Sequence, residues 1–83
     1  MDIDTFIERN EKAVFRYCLS LCRRRELAEE VAQETFIKVM ANFALLGSQP
    51  EGQLLAWTFT TAKNLTFDFL RAKSREDTTP KSS

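Results

Sequence analysis

Trp57, Thr60, Thr61, Lys63, Asn64, Phe67 and Arg71 bring together aromatic rings, hydroxyls, a carboxamide and cations at helical spacing. At about 100° per residue they gather on one side of a helix. Bases and phosphates suit such a surface. A ring offers stacking worth roughly 1–3 kcal/mol per base, a carboxamide both donates and accepts, and cations take phosphate oxygens without reading sequence. No reaction chemistry competes with this. The 83 residues hold no histidine and no glycine-rich phosphate loop. Glu29, Glu30 and Glu34 crowd one helix face with no nucleophile or base to define a reaction, so they read as solvated or partner-facing. Cys18 and Cys22 cannot complete a four-ligand zinc site without histidine. They read as reduced, half-buried thiols that pack as small hydrophobes. No metal, cofactor or enzymatic activity is expected.

Positioning that surface requires a core on the other side of the same helix, and residues 54–71 supply one through Leu54, Leu55, Phe59, Ala62, Leu65, Thr66, Phe69 and Leu70. Two further helices are expected. The first spans Ile3 to Cys22, with Ile3, Phe6, Ile7, Val14, Tyr17, Cys18 and Leu21 on one stripe. Phe15, Leu19 and Cys22 form a shorter stripe beside it, the mark of a helix touching two neighbours. Asp2 or Asp4 is available as its cap, and the arginines at 23–25 fit its last turn. The second spans Glu26 to Phe43, turning Leu27, Ala28, Val31, Ala32, Thr35, Val39 and Phe43 inward, with Phe36 and Met40 at the edge. On its outward face Ile37 stands among Glu30, Gln33, Glu34 and Ala41. A single exposed apolar residue is ordinary; a polar-rimmed one is also what a docking surface for another protein's helix looks like.

Residues 44–53 hold both glycines and one proline and are expected to form a loop. Leu45 and Leu46 would tuck onto the core, and Gly47 to Gln53 would form a wall beside the start of the third helix. Ser48 and Glu51 have capping-box spacing. The pattern thus predicts an all-α chain, a compact three-helix bundle over residues 1–73. A polar, disordered linker or tail follows over 74–83, resembling the start of a connection to a further domain.

Composition fits one small domain, 43% hydrophobic, with stability on the order of 5 kcal/mol. Formal charge is zero, but residues 1–34 carry eight carboxylates against six cations and residues 35–83 carry four against six. The carboxyl half is the anion-binding half, in a weak field. No run approaches the roughly 20 apolar residues that span a bilayer, and the acidic amino terminus is not a signal peptide. A cytoplasmic protein is expected, with no membrane partner.

ELAEEVAQETFIKVM at 26–40 and AWTFTTAKNLTFDFLRAKSR at 56–75, in that order, resemble the paired signatures of region 2 of bacterial extracytoplasmic-function sigma factors. The resemblance covers nearly the whole chain. Aspartate is usual in that family where Glu30 stands, and arginine where Lys63 stands; both changes preserve charge. Leucine and isoleucine are usual where Thr58 and Thr61 stand, so the third helix here is more polar and of lower helix propensity.

The resemblance implies a subunit that directs RNA polymerase to promoters and captures the melted minus-ten element. The helix matching residues 26–43 would dock on the clamp helices of the largest polymerase subunit, with Glu30, Gln33 and Glu34 as polar contacts and Ile37 and Met40 adding apolar area. The third helix would hold the non-template strand and take one flipped base beside Asn64. Lys63, Arg71, Lys73 and Arg75 would follow the phosphates. Trp57 either lines the pocket or fills the groove beneath it. An anti-sigma factor is a further partner the resemblance allows. The competing reading is a protein-binding helical module that uses only the Glu30 to Met40 surface and does not read DNA.

Overall fold

A computed structural model describes residues 2–78, with side chains described through residue 72. Four helices follow one another: α1 (Ile3–Cys22), α2 (Arg25–Ala41), α3 (Phe43–Leu46) and α4 (Glu51–Thr78). The three-helix expectation therefore needs correction. Asn42 closes α2, its N–H reaching the carbonyls of Lys38 and Val39, and the chain turns at once into α3. The expected ten-residue loop shrinks to residues 47–50, and α4 extends past both ends of the span expected for it. Its helical backbone continues through Thr78, across the first half of the region read as a polar linker. Residues 79–83 of that expected tail lie outside the described residues.

α1, α2 and α4 pack pairwise against one another, and α3 leans on α2. Their shared core holds Phe6, Val14, Cys18, Leu27, Val31, Val39, Leu54 and Ala62. Tyr17 of α1 meets Phe59 of α4 edge-on, with ring centroids 5.3 Å apart, the geometry that suits the ring quadrupoles. At the surface, Arg9 Nη1 and Glu51 Oε2, 3.4 Å apart, tie α1 to the first turn of α4.

Three threonines are fully buried: Thr35 on α2 and Thr58 and Thr66 on α4. A buried hydroxyl must find an acceptor, and each finds it four residues back on its own helix. Their Oγ1 atoms donate to the carbonyls of Val31, Leu54 and Ala62, each at 2.8 Å. Thr58, where the resembling family usually has leucine, is thus a core residue. Leu45 goes the other way: it is 74% exposed, while its neighbour Leu46 packs on the core. Gly47 allows the tight end of α3, since a Cβ there would lie 2.9 Å from two ring carbons of Phe43.

The arginine triplet is not a last turn: Arg23 and Arg24 connect the helices, and Arg25 opens α2. Arg23 caps α1 in the left-handed region, φ 61°, its N–H bonded to the Leu19 carbonyl, and Arg24 is extended before α2 begins. Asp2 occupies the cap position of α1 without a side-chain cap bond; its carboxylate accepts instead from Thr5 Oγ1. Ser48 does not form the capping box either, because its hydroxyl donates back to the Leu45 carbonyl. A side chain in the left-handed conformation is strained where glycine is not. Arg23→Gly is expected to raise stability by about 1 kcal/mol, seen as a melting temperature about 4–8 °C higher in a thermal scan. A lower melting temperature would show that the arginine side chain matters more than its backbone.

No helix among the described residues is long and apolar enough to cross a membrane.

Candidate functional site

Two solvent-facing surfaces emerge from this packing, one on α2 and one on α4. With Val31, Thr35 and Val39 locked inward, the helical repeat turns residues three and four apart on the far side of α2 out together. Glu30 and Gln33 are exposed and Glu34 is half-buried. Ile37 and Met40 are 48% and 50% exposed, so two large apolar side chains stand side by side on the same flank. Beyond Gln33 the surface dips into a shallow groove between α1 and α2 of about 360 Å³, lined by Glu11, Lys12, Phe15, Arg25, Glu29 and Phe36 among others. Arg25 sits over the Phe15 ring at 5.6 Å and pairs with Glu29 at 3.8 Å. The periodicity of α1 and α2 gave no sign of this groove.

On α4 the buried positions Leu54, Thr58, Ala62 and Thr66 recur every four residues and fix which side faces out. Thr60, Lys63, Asn64 and Arg71 are exposed; Trp57 and Thr61 are half-buried. Trp57 packs its ring against the core while leaving part of it in solvent. Phe67 is 41% exposed, more than a ring of its size needs to be. Lys63 makes no ion pair among the described residues. Arg71 does: its Nη2 is paired with Asp68 Oδ1, three residues earlier on the same face. The sequence pattern singled out Arg71 without Asp68, although their separation by three residues was the signal to look for. The side chains of Lys73 and Arg75 lie outside the described residues.

The turn at 47–50 does not reach all of this surface. Asn64 lies thirteen residues beyond Glu51 on one unbroken helix, about 20 Å along its axis. Trp57 is the stripe residue nearest the turn, and residues 51–53, expected in the loop, are the first turn of α4.

The cysteines take no part in either surface. Both are free and buried, and burial pushes the Cys18 thiol above its ordinary value, only partly offset by the Thr66 hydroxyl beside it. A thiol held neutral in this way is a packing group. Among the described residues no group of histidine, cysteine and carboxylate side chains could hold a metal ion.

Residues 6–76 match the model of sigma-70 region 2. Over 78 residues the chain is 30% identical to the ECF RNA polymerase sigma factor SigM of Bacillus subtilis (strain 168), a match covering 94% of this chain and 46% of that protein. The chain thus spans about half the length of this curated relative. No solved structure gives a significant match.

Proposed function

Because the chain belongs to the sigma-70 region 2 family, we propose that it is a promoter-recognition domain with two separate working faces. The α2 face docks on the clamp helices of the largest RNA polymerase subunit, through Glu30, Gln33, Glu34, Ile37 and Met40. The α4 face captures the melted non-template strand of the minus-ten element. There Trp57 and Phe67 offer rings to unstacked bases, Thr60 and Thr61 offer hydroxyls, Asn64 meets a base edge, and Lys63 and Arg71 meet phosphates. Lys73 and Arg75 would extend the phosphate track.

The observation that carries this reading is the exposure of Asn64 and Lys63 on the same side of α4 as a half-buried tryptophan. A flipped base loses its stack and its pairing partner and must recover both from the protein. A partly exposed ring and a solvent-facing carboxamide, two turns apart on one helix, offer those two kinds of interaction to successive parts of an unstacked strand. Zero net charge supplies little sequence-independent affinity, so the domain alone binds weakly and depends on the polymerase to place it. A shallow salt dependence follows, about 0.7 in log–log slope for each phosphate neutralised on a single strand.

Titrating a single-stranded minus-ten oligonucleotide and a scrambled one against Trp57 fluorescence tests the assignment. Asn64→Ala is expected to lower the ratio of the two affinities at least about five-fold, as loss of a base-edge contact does, while binding of the scrambled strand changes little. Equal weakening on both strands would remove Asn64 from the readout. If the α4 substitutions leave activity untouched, the module binds protein alone.

A further inference from the structure

Asp68 stands on the strand-binding stripe itself, four residues after Asn64 and three before Arg71. Its Oδ1 accepts from Arg71 Nη2, and both side chains are largely exposed. The other two ion pairs among the described residues, Arg9 with Glu51 and Arg25 with Glu29, lie away from this stripe. The guanidinium of Arg71 is therefore already held by a carboxylate of the same chain. A strand that engages Arg71 has to displace that carboxylate and then lie beside its negative charge.

We propose that Asp68 is an electrostatic competitor of the nucleic-acid strand, sequestering Arg71 and holding down the phosphate-driven, sequence-independent affinity of α4. This inference rests on the strand-capture reading above. Phosphate contacts carry no sequence information, so the competitor weakens the hold on every strand alike and leaves the contribution of Asn64 untouched. Its consequence is a domain that stays off single strands at large until another protein positions it. An exposed pair is a weak interaction and is screened by salt, which sets the scale of the effect: a few-fold, and greatest at low ionic strength.

The test is a two-by-two cycle of Asp68→Asn and Arg71→Ala in the full chain, with circular dichroism confirming that all four proteins fold. Each is titrated with the minus-ten strand and with a scrambled strand of equal length across a salt series. Asp68→Asn alone is expected to bind both strands about two- to five-fold more tightly at low salt. Its log–log salt slope steepens by about 0.7, the value of one extra phosphate contact, and the ratio between strands stays constant. In the Arg71→Ala background the same substitution gives no gain. An equal gain with and without Arg71 overturns the proposal, since removal of any negative charge would then explain it. So does binding by the wild type with no gain in Asp68→Asn. If none of the four proteins binds either strand at any salt concentration, the strand-capture reading falls and takes this inference with it.

Discussion

Ile37→Asp is expected to abolish retention of the chain on an immobilised clamp-helix fragment of the polymerase, a loss of at least about 30-fold in affinity. Ile37 is 48% exposed at the middle of the α2 flank, with Met40 beside it and Glu30, Gln33 and Glu34 along the same face. An aliphatic anchor ringed by polar groups is the arrangement in which a few side chains carry most of the binding free energy. Aspartate there would remove the anchor and force a carboxylate into a dry contact, where an unpaired charge is costly. Folding should be nearly unaffected, because surface substitutions away from special features stay within about 0.5 kcal/mol. The variant therefore separates docking from stability: its melting curve should overlay that of the wild type while the pull-down fails. Undiminished retention would remove the α2 face from the docking role, and Gln33→Ala combined with Glu34→Ala would then be expected to bind as well.

The second large effect concerns the fold. Phe6 on α1 is fully buried in the shared core, and it touches neither proposed working face. Phe6→Ala should cost about 3–5 kcal/mol through lost transfer free energy and the cavity left behind. Against a total of about 5 kcal/mol for a domain of this size, that leaves the chain largely unfolded at 37 °C. The measurement is the helical circular-dichroism signal across a thermal scan. Retention of a cooperative transition near the wild-type temperature would mean that the three packed helices can close over the gap. If the prediction holds, Phe6→Ala also loses both binding activities together, in contrast to Ile37→Asp, which should lose only docking, and Asn64→Ala, which should lose only the preference between strands.

Much of this architecture is legible in the sequence because the long helices carry apolar residues at a strong 3.6-residue period. α1 and most of α2 are expected within a residue or two of where they lie, and the alternation of Leu54, Ala62 and Thr66 with Lys63 and Asn64 orients α4 correctly. The misreadings come where residue type and environment disagree. Leu45 looks like a core residue, but α3 is a single short turn and cannot bury both Leu45 and Leu46. Gly47 and Pro50 gave the impression of a long loop, whereas proline just before a helix is pre-set for its first turn and the chain is already helical at Glu51. Asp68 carries no signal of its own in the pattern; its role appears only with the Arg71 guanidinium paired to it. The α1–α2 groove depends on how two helices lie against each other, which no single-helix periodicity encodes.

The unbroken path of α4 from Glu51 to Thr78 also sets a direction. Trp57, Asn64 and Arg71 are successive members of a seven-residue series, and each step advances about 10.5 Å while falling about 20° short of two full rotations. The three side chains consequently trace a gentle left-handed spiral rather than a straight row. A polynucleotide touching all of them must cross the rod obliquely, and adding one residue between any two would swing the later contact about 100° out of phase.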